Sequence, residues 1–195
     1  MSDPRFFVIS GPSGVGKSTL IAAAKRDPRV HLAVSATTRT PRPGEVDGVH
    51  YHFVTQEMFD RMRDSNEFLE WARVHDQCYG TPRSELSRTG AEVVLLDIDI
   101  QGFQSMRDLR IPAIGVFISP PNLQELEKRL RNRKSENEAS IARRLKAAAA
   151  EIAAADRYDH VLINRNLKEA ESEFLQLLGL SPGNVPSTQR KGVSP

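Results

Sequence analysis

At 195 residues, 39% of them hydrophobic and 27% charged, the chain is long enough for one sizeable core with a small inserted subdomain, in the manner of a soluble globular protein. No apolar run approaches a membrane span, no charged-then-apolar leader precedes the first strand, and the one cysteine, Cys78, excludes internal disulfides and cysteine-based zinc sites, so a cytoplasmic protein is expected. A net charge of +2 is too weak to argue for a nucleic-acid or membrane partner.

In chain order, the first element is a short apolar strand at Phe6, Phe7, Val8 and Ile9. It runs into Gly11, Pro12, Ser13, Gly14, Val15, Gly16, Lys17 and Ser18, the pattern G-x-x-x-x-G-K-[ST]. Such a P-loop wraps nucleotide phosphates in backbone N–H groups, with Lys17 reaching the β- and γ-phosphates and the Ser18 hydroxyl placed for Mg²⁺. A helix opening at Thr19 puts its N-terminus beneath the phosphates, where dipole and free N–H groups favour anions. A nucleoside triphosphate ligand is expected.

Residues 34–85 read differently from their surroundings, rich in Thr, Arg, Pro and Tyr with short β-type runs, and are expected to form an inserted subdomain. Within them Arg39 and Arg42 are two guanidinium forks held by neighbouring prolines, suited to bidentate phosphate contact. Tyr51 and Tyr79 each offer an amphipathic hydroxyl, and Glu70 is a carboxylate in an otherwise apolar run. Plainer readings stay open: Arg39 and Arg42 as surface charges in a Pro-rich loop, Glu70 on a solvated strand face.

After the insertion, residues 93–98 form the clearest central strand, an unbroken apolar run ending in carboxylates. Residues 113–118 and 160–163 are similar strands. Alternation of strands and helical patterns indicates an α/β fold around a mostly parallel sheet, whose carboxyl edge would collect the loop and Asp97. There Asp97, and Asp99 beside it, have a magnesium or ligand role, or merely cap the strand end. Asn122 with Glu125 and Asn166 with Glu169 mark two capped helices. Between them Ile141, Leu145 and Ile152 stripe an alanine-rich helix over about residues 138–155. Residues 181–195, with three prolines and two glycines, are expected to be a disordered tail.

Taken together, residues 11–18, 35–45, 48–53, 67–72, 79–82, 97–102, 141–145 and 158–164 closely resemble guanylate kinases, in family order, over about residues 5–178. The resemblance implies a P-loop NTPase fold: a core of residues 1–33 and 86–180, a helical lid at about 123–157, and a GMP-binding subdomain at 34–85. It implies the acceptor phosphate held by Ser35, Arg39, Arg42, Tyr51 and Tyr79. The guanine would be surrounded by Glu70, Gly80, Thr81 and Asp99. ATP would lie on the loop with Arg131 and Asn164, with catalytic assistance from Lys17, Arg39, Arg42, Arg133 and Arg144. Mg²⁺ would be held by Ser18 and Asp97. The chain departs from the family's usual residues at Asp76, Gln77 and Cys78, at Lys134 and Ser135, and at Arg165. Cys78 reads either as a small buried hydrophobe or as an accessible thiol at the edge of the acceptor site.

The chemistry of the base agrees with that assignment. Guanine's Watson–Crick edge shows two donors beside one acceptor, which a carboxylate and a hydroxyl satisfy, as Glu70 and Thr81 offer; adenine would leave Glu70 unpaired. A monophosphate, dianionic near neutral pH, needs no general base, so none of the five histidines is assigned one. Two other readings remain at this point: a related P-loop kinase for another phosphate acceptor, and a non-catalytic guanylate-kinase-like binding module.

Overall fold

A computed structural model describes residues 4–74, 76–87, 90–132 and 137–180; the expected tail at 181–195, together with Arg133, Lys134, Ser135 and His75, lies outside them. The chain opens with β1 (Arg5–Ser10), the glycine loop, α1 (Lys17–Ala24) and β2 (Val30–Leu32). A second group follows: β3 (Ala36–Thr37), β4 (His52–Phe53), α2 (Gln56–Asp64), β5 (Phe68–Val74), β6 (Gln77–Pro82) and a 3-10 turn at Arg83–Ser87. The first group resumes with β7 (Val93–Asp97), α3 (Ile100–Asp108), β8 (Ile114–Ser119), α4 (Leu123–Arg131) and α5 (Glu138–Ala153). It closes with a 3-10 turn at Ala155–Arg157, β9 (His160–Ile163) and α6 (Leu167–Leu177).

The main sheet runs β2-β7-β1-β8-β9, every neighbouring pair parallel. Its strands read as unbroken apolar runs because both faces are covered. Along β1 the pleat sends Phe7 and Ile9 into one layer with Leu20, Ile118 and Phe174, and Val8 into the other with Leu96, Phe103 and Phe117. The parallel register pairs Ile9 with Asp97, so the loop leaving β1 and the carboxylates ending β7 emerge at one edge.

The helix starts follow the expected caps. Asn122 Oδ1 accepts the Glu125 N–H at 2.8 Å and Asn166 Oδ1 the Glu169 N–H at 2.9 Å, each satisfying a donor with no partner in its own helix. The alanine-rich helix, expected to reach residue 155, gives way after Ala153 to the 3-10 turn.

The second sheet has the order β4-β3-β6-β5, with β3 parallel to β4 and antiparallel to β6, and β5 antiparallel to β6. One face takes α2: Phe59 stacks on Phe68 at 4.5 Å, and the edge of Trp71, 43% exposed, meets it at 6.5 Å. The guanidinium of Arg63 lies 5.7 Å from the Trp71 ring centre. Cys78, 6% exposed, packs into this α2 layer with Ala36, Phe59 and Phe68. The pleat that sends Tyr79 to the opposite face thus buries the thiol on the α2 side, and the accessible-thiol reading falls. Where the two sheets join, the buried Glu85 carboxylate accepts the Val34 N–H at 2.9 Å and lies 2.9 Å from His31 Nε2 on β2 and 3.8 Å from His52 Nε2 on β4.

Candidate active site

The loop after β1 has a shape that only glycine permits at two points. Gly11 has φ +142°, and a Cβ there would stand 2.2 Å from the Ile118 carbonyl oxygen. Gly16, at φ +104°, caps α1, and a Cβ would meet Asn164 Nδ2 at 2.6 Å. Lys17 follows as the first helical residue, where the unpaired N–H groups of α1 face the loop's concavity. Its ammonium rests 3.0 Å from Asp97 Oδ1, at the end of the neighbouring strand.

A cleft of about 430 Å³ separates this edge from the second sheet. Gly11, Pro12, Ser13, Gly14, Gly16, Lys17, Ser18 and Thr19 line one side; Ser35, Tyr51, Glu70, Tyr79 and Gly80 line the other, and Asp97 and Asp99 the floor between. Val15, expected among the loop's ligand contacts, has its side chain fully buried in the core, so only its backbone is available to a ligand.

At one end of the wall formed by the second sheet, Glu70 is 5% exposed. Its Oε1 accepts the Thr81 hydroxyl at 2.7 Å and the Thr81 N–H at 3.1 Å. Burial pushes this carboxyl up to about 7, against the lowering effect of the Thr81 hydroxyl, with the nearby Asp99 charge raising it further. Thr81 is fully buried behind Glu70, so its single hydroxyl proton acts on the carboxylate in this state. Ser35, expected among the phosphate contacts, stands 3.2 Å from Thr81 Oγ1 and belongs to this end. Asp99 caps the helix α3 rather than the strand end, its Oδ1 accepting the Gly102 N–H at 2.9 Å, while also lining the cleft.

At the other end, Tyr51 and Tyr79 meet edge to face at 6.0 Å. Arg39 stacks against Tyr51 at 5.5 Å and is held by both Glu45 oxygens at 2.9 Å. Glu45 also accepts the Arg42 N–H at 2.7 Å, so one carboxylate fixes the turn that carries both arginines; the Arg42 side chain is exposed. The Glu45 pairing raises Arg39 above its ordinary value and lowers Glu45 below its own.

On the loop side of the cleft, Arg144 of α5 donates to the Ser13 hydroxyl. Arg131 does not face the cleft wall: Glu127 and Glu138 hold its guanidinium on the surface. Asn164 is a strut, 3% exposed, its Nδ2 donating to the Val15 carbonyl at 2.7 Å from beneath the loop. Arg133 lies outside the described residues. Two groups were missed by the sequence reading. Glu45 was passed over because its partner is six residues away in a loop without periodicity. Glu151 lines the cleft from α5, its carboxyl raised by burial against the lowering effect of Lys17; only its seven-residue spacing from Arg144 hinted that both share a helix face.

For magnesium, the cleft offers the Ser18 hydroxyl and the Asp97 carboxylate on adjacent walls, both hard oxygen donors. Among the described residues no cluster of three or more acidic, histidine or cysteine side chains forms a closed cage. That sparse set fits an ion that keeps waters and shares the ligand's phosphates.

The chain matches the guanylate kinase family model over residues 3–179. It is 48% identical over 177 residues to a guanylate kinase of Streptomyces coelicolor, covering 89% of this chain and 90% of that one. It is 47% identical over 176 residues to one of Bordetella pertussis, covering 88% of this chain and 81% of that one. The crystal structure of guanylate kinase from Anaplasma phagocytophilum superposes with a TM-score of 0.71 at 33% identity, over 91% of this chain and 86% of that chain. With a phosphate loop facing a buried carboxylate across one cleft, and that likeness along nearly its whole length, this chain belongs to the guanylate kinase family and is a nucleoside monophosphate kinase.

Proposed function

We propose that the chain transfers the γ-phosphoryl group of ATP to the phosphate of GMP, and of dGMP, giving ADP and GDP or dGDP, with Mg²⁺ and in the cytoplasm. The observation that carries this reading is Glu70, a buried carboxylate clamped by Thr81 on the wall opposite Lys17. Guanine donates from N1–H and N2–H₂ to that carboxylate, and the Ser35–Thr81 hydroxyl pair supplies the one proton that O6 accepts. Adenine, with the reverse pattern, offers the buried Glu70 carboxylate no such pair of donors.

The acceptor phosphate lies toward Tyr51, Tyr79 and Arg39, the last oriented by Glu45, with Arg42 on the same turn free to swing onto it. The donor phosphates lie on the loop, with Arg144 at its rim. Lys17 exchanges its contact with Asp97 for the transferring group, releasing Asp97, with Ser18, to hold magnesium. The ion supplies charge neutralisation on the donor phosphates. Transfer then needs alignment and charge compensation, and no general base, because the acceptor oxygen is already anionic.

An ADP-release assay across GMP, dGMP, AMP, CMP, UMP and dTMP tests the reading, with turnover expected for GMP and dGMP alone. In Glu70→Gln the amide cannot accept both donors, so the GMP/AMP ratio of kcat/KM should narrow. Preference for another acceptor, or an unchanged ratio, overturns it.

A further inference from the structure

We propose that Gly102, in the first turn of α3, is a positioning residue that sets the aim of Glu70 and with it the enzyme's selectivity for guanine. This deepens the assignment of Glu70 to the base and rests on it. The Glu70 carboxylate is gripped from two sides. Its Oε1 is fixed by the Thr81 N–H and hydroxyl, while its Oε2 lies against the backbone of Gly102, where a Cβ would stand only 2.6 Å away. Gly102 is itself fixed, because Asp99 caps α3 by accepting its N–H. A chain of contacts thus runs from Asp99 through Gly102 to the outer carboxylate oxygen, and it closes only if residue 102 has no side chain.

Gly102 has no positive φ in the described backbone, so the helix does not require glycine there for conformational reasons. On propensity alone, alanine would serve α3 better. The space that a methyl group would take is occupied instead by the end of a side chain, not by a backbone carbonyl as at Gly11. When a methyl group is added at 102, the atom that yields is therefore the carboxylate, and the fold has no reason to fail. Displacing a buried recognition group by about 1 Å costs on the order of 10²-fold in catalysis.

Gly102→Ala, Glu70→Asp and the double variant test this, with Glu70→Gln as the control. In Gly102→Ala the kcat/KM for GMP should fall on the order of 10²-fold, with KM for ATP within about twofold of the parent and Tm unchanged or higher. Glu70→Asp draws the carboxylate back by one methylene, out of reach of a new Cβ. The double variant should then match Glu70→Asp alone, so that the two losses do not multiply. A GMP kcat/KM in Gly102→Ala close to the parent's, losses that multiply in the double variant, or a fall in Tm that accounts for the lost activity overturns the inference while leaving the role of Glu70 intact. If Glu70→Gln keeps the parent's GMP/AMP ratio, Glu70 does not read the base and both ideas fall together.

Discussion

Lys17 and Glu70 stand on opposite walls of the cleft, and each is held in a different way. The Lys17 ammonium sits on Asp97 with side-chain exposures of 22% and 39%, so their attraction is softened by solvent and contributes little to stability. Lys17→Ala is therefore expected to keep the parent's Tm nearly intact while turnover falls on the order of 10³-fold or more, the scale of one cation at a transferring phosphoryl group. Steady-state kinetics beside thermal denaturation would check both halves. Glu70 is the reverse case, a group whose placement works against the fold. Its carboxyl is raised from 4.5 to about 7 by burial. The protonated form is thus favoured on folding: the contribution to stability is fully present below about pH 4.5 and lost as pH rises to about 7, a span of about 3 kcal/mol. Glu70→Gln should accordingly have a higher Tm than the parent at pH 8 and lose that advantage at pH 5. On the proposed role of Glu70, activity should run the other way, since guanine's two donors require the ionised carboxylate. The kcat/KM for GMP should drop as pH falls below about 7, and in Glu70→Gln that fall should be delayed to about pH 6, where the GMP phosphate itself takes up a proton.

Among the elements, the phosphate loop shows how a local motif depends on distant support. Its glycines give the curvature, yet the Val15 carbonyl at its centre is satisfied by Asn164, which follows β9 at the far end of the chain. Asn164→Ala leaves that carbonyl buried and unpaired, at a cost of about 1–3 kcal/mol. Tm should fall by several degrees and KM for ATP should rise while KM for GMP holds; equal effects on both substrates would show that the strut is not specific to the loop. The strands of the main sheet were legible in the sequence because burial on both faces leaves unbroken apolar runs, as at residues 93–96, and the caps because Asn122 and Asn166 announce their helices chemically. The two-residue strands β3 and β4 carry no period, and their neighbours come from pairing across tens of residues. The same limit applies to the cleft. A loop such as residues 11–18 can be read from spacing alone, whereas the Glu45 grip on Arg39 sits in a turn with no period to announce it, and the placement of Ser35 beside Thr81 and the reach of Glu151 arise only when separate segments meet.

For the whole molecule, the decisive arrangement is two sheets with the cleft between them, tied at the seam around Glu85 as well as where α3 meets β5. Val34, where the chain leaves the main sheet, is held through its N–H by Glu85, the carboxylate that also contacts His31 of β2 and approaches His52 of β4. Glu85→Ala removes that tie and leaves buried donors without it, so a loss of about 3 kcal/mol is expected. Differential scanning calorimetry would register this as a clear fall in Tm, and an unchanged Tm would show that the seam is held elsewhere.

The second sheet also carries the chain's single tryptophan, Trp71, next to Glu70 in sequence but on the opposite face, between Phe59 and the Arg63 guanidinium. With no second indole in the chain, fluorescence excited at the red edge, where tyrosine does not absorb, is the emission of one partly exposed ring on the second sheet. Quenching or a spectral shift on adding GMP then reports directly on that sheet. The same trace recorded during unfolding follows the sheet's release, since the main sheet carries no indole. The protein therefore comes with its own site-specific probe, and the order in which acceptor and donor bind can be followed without attaching a dye.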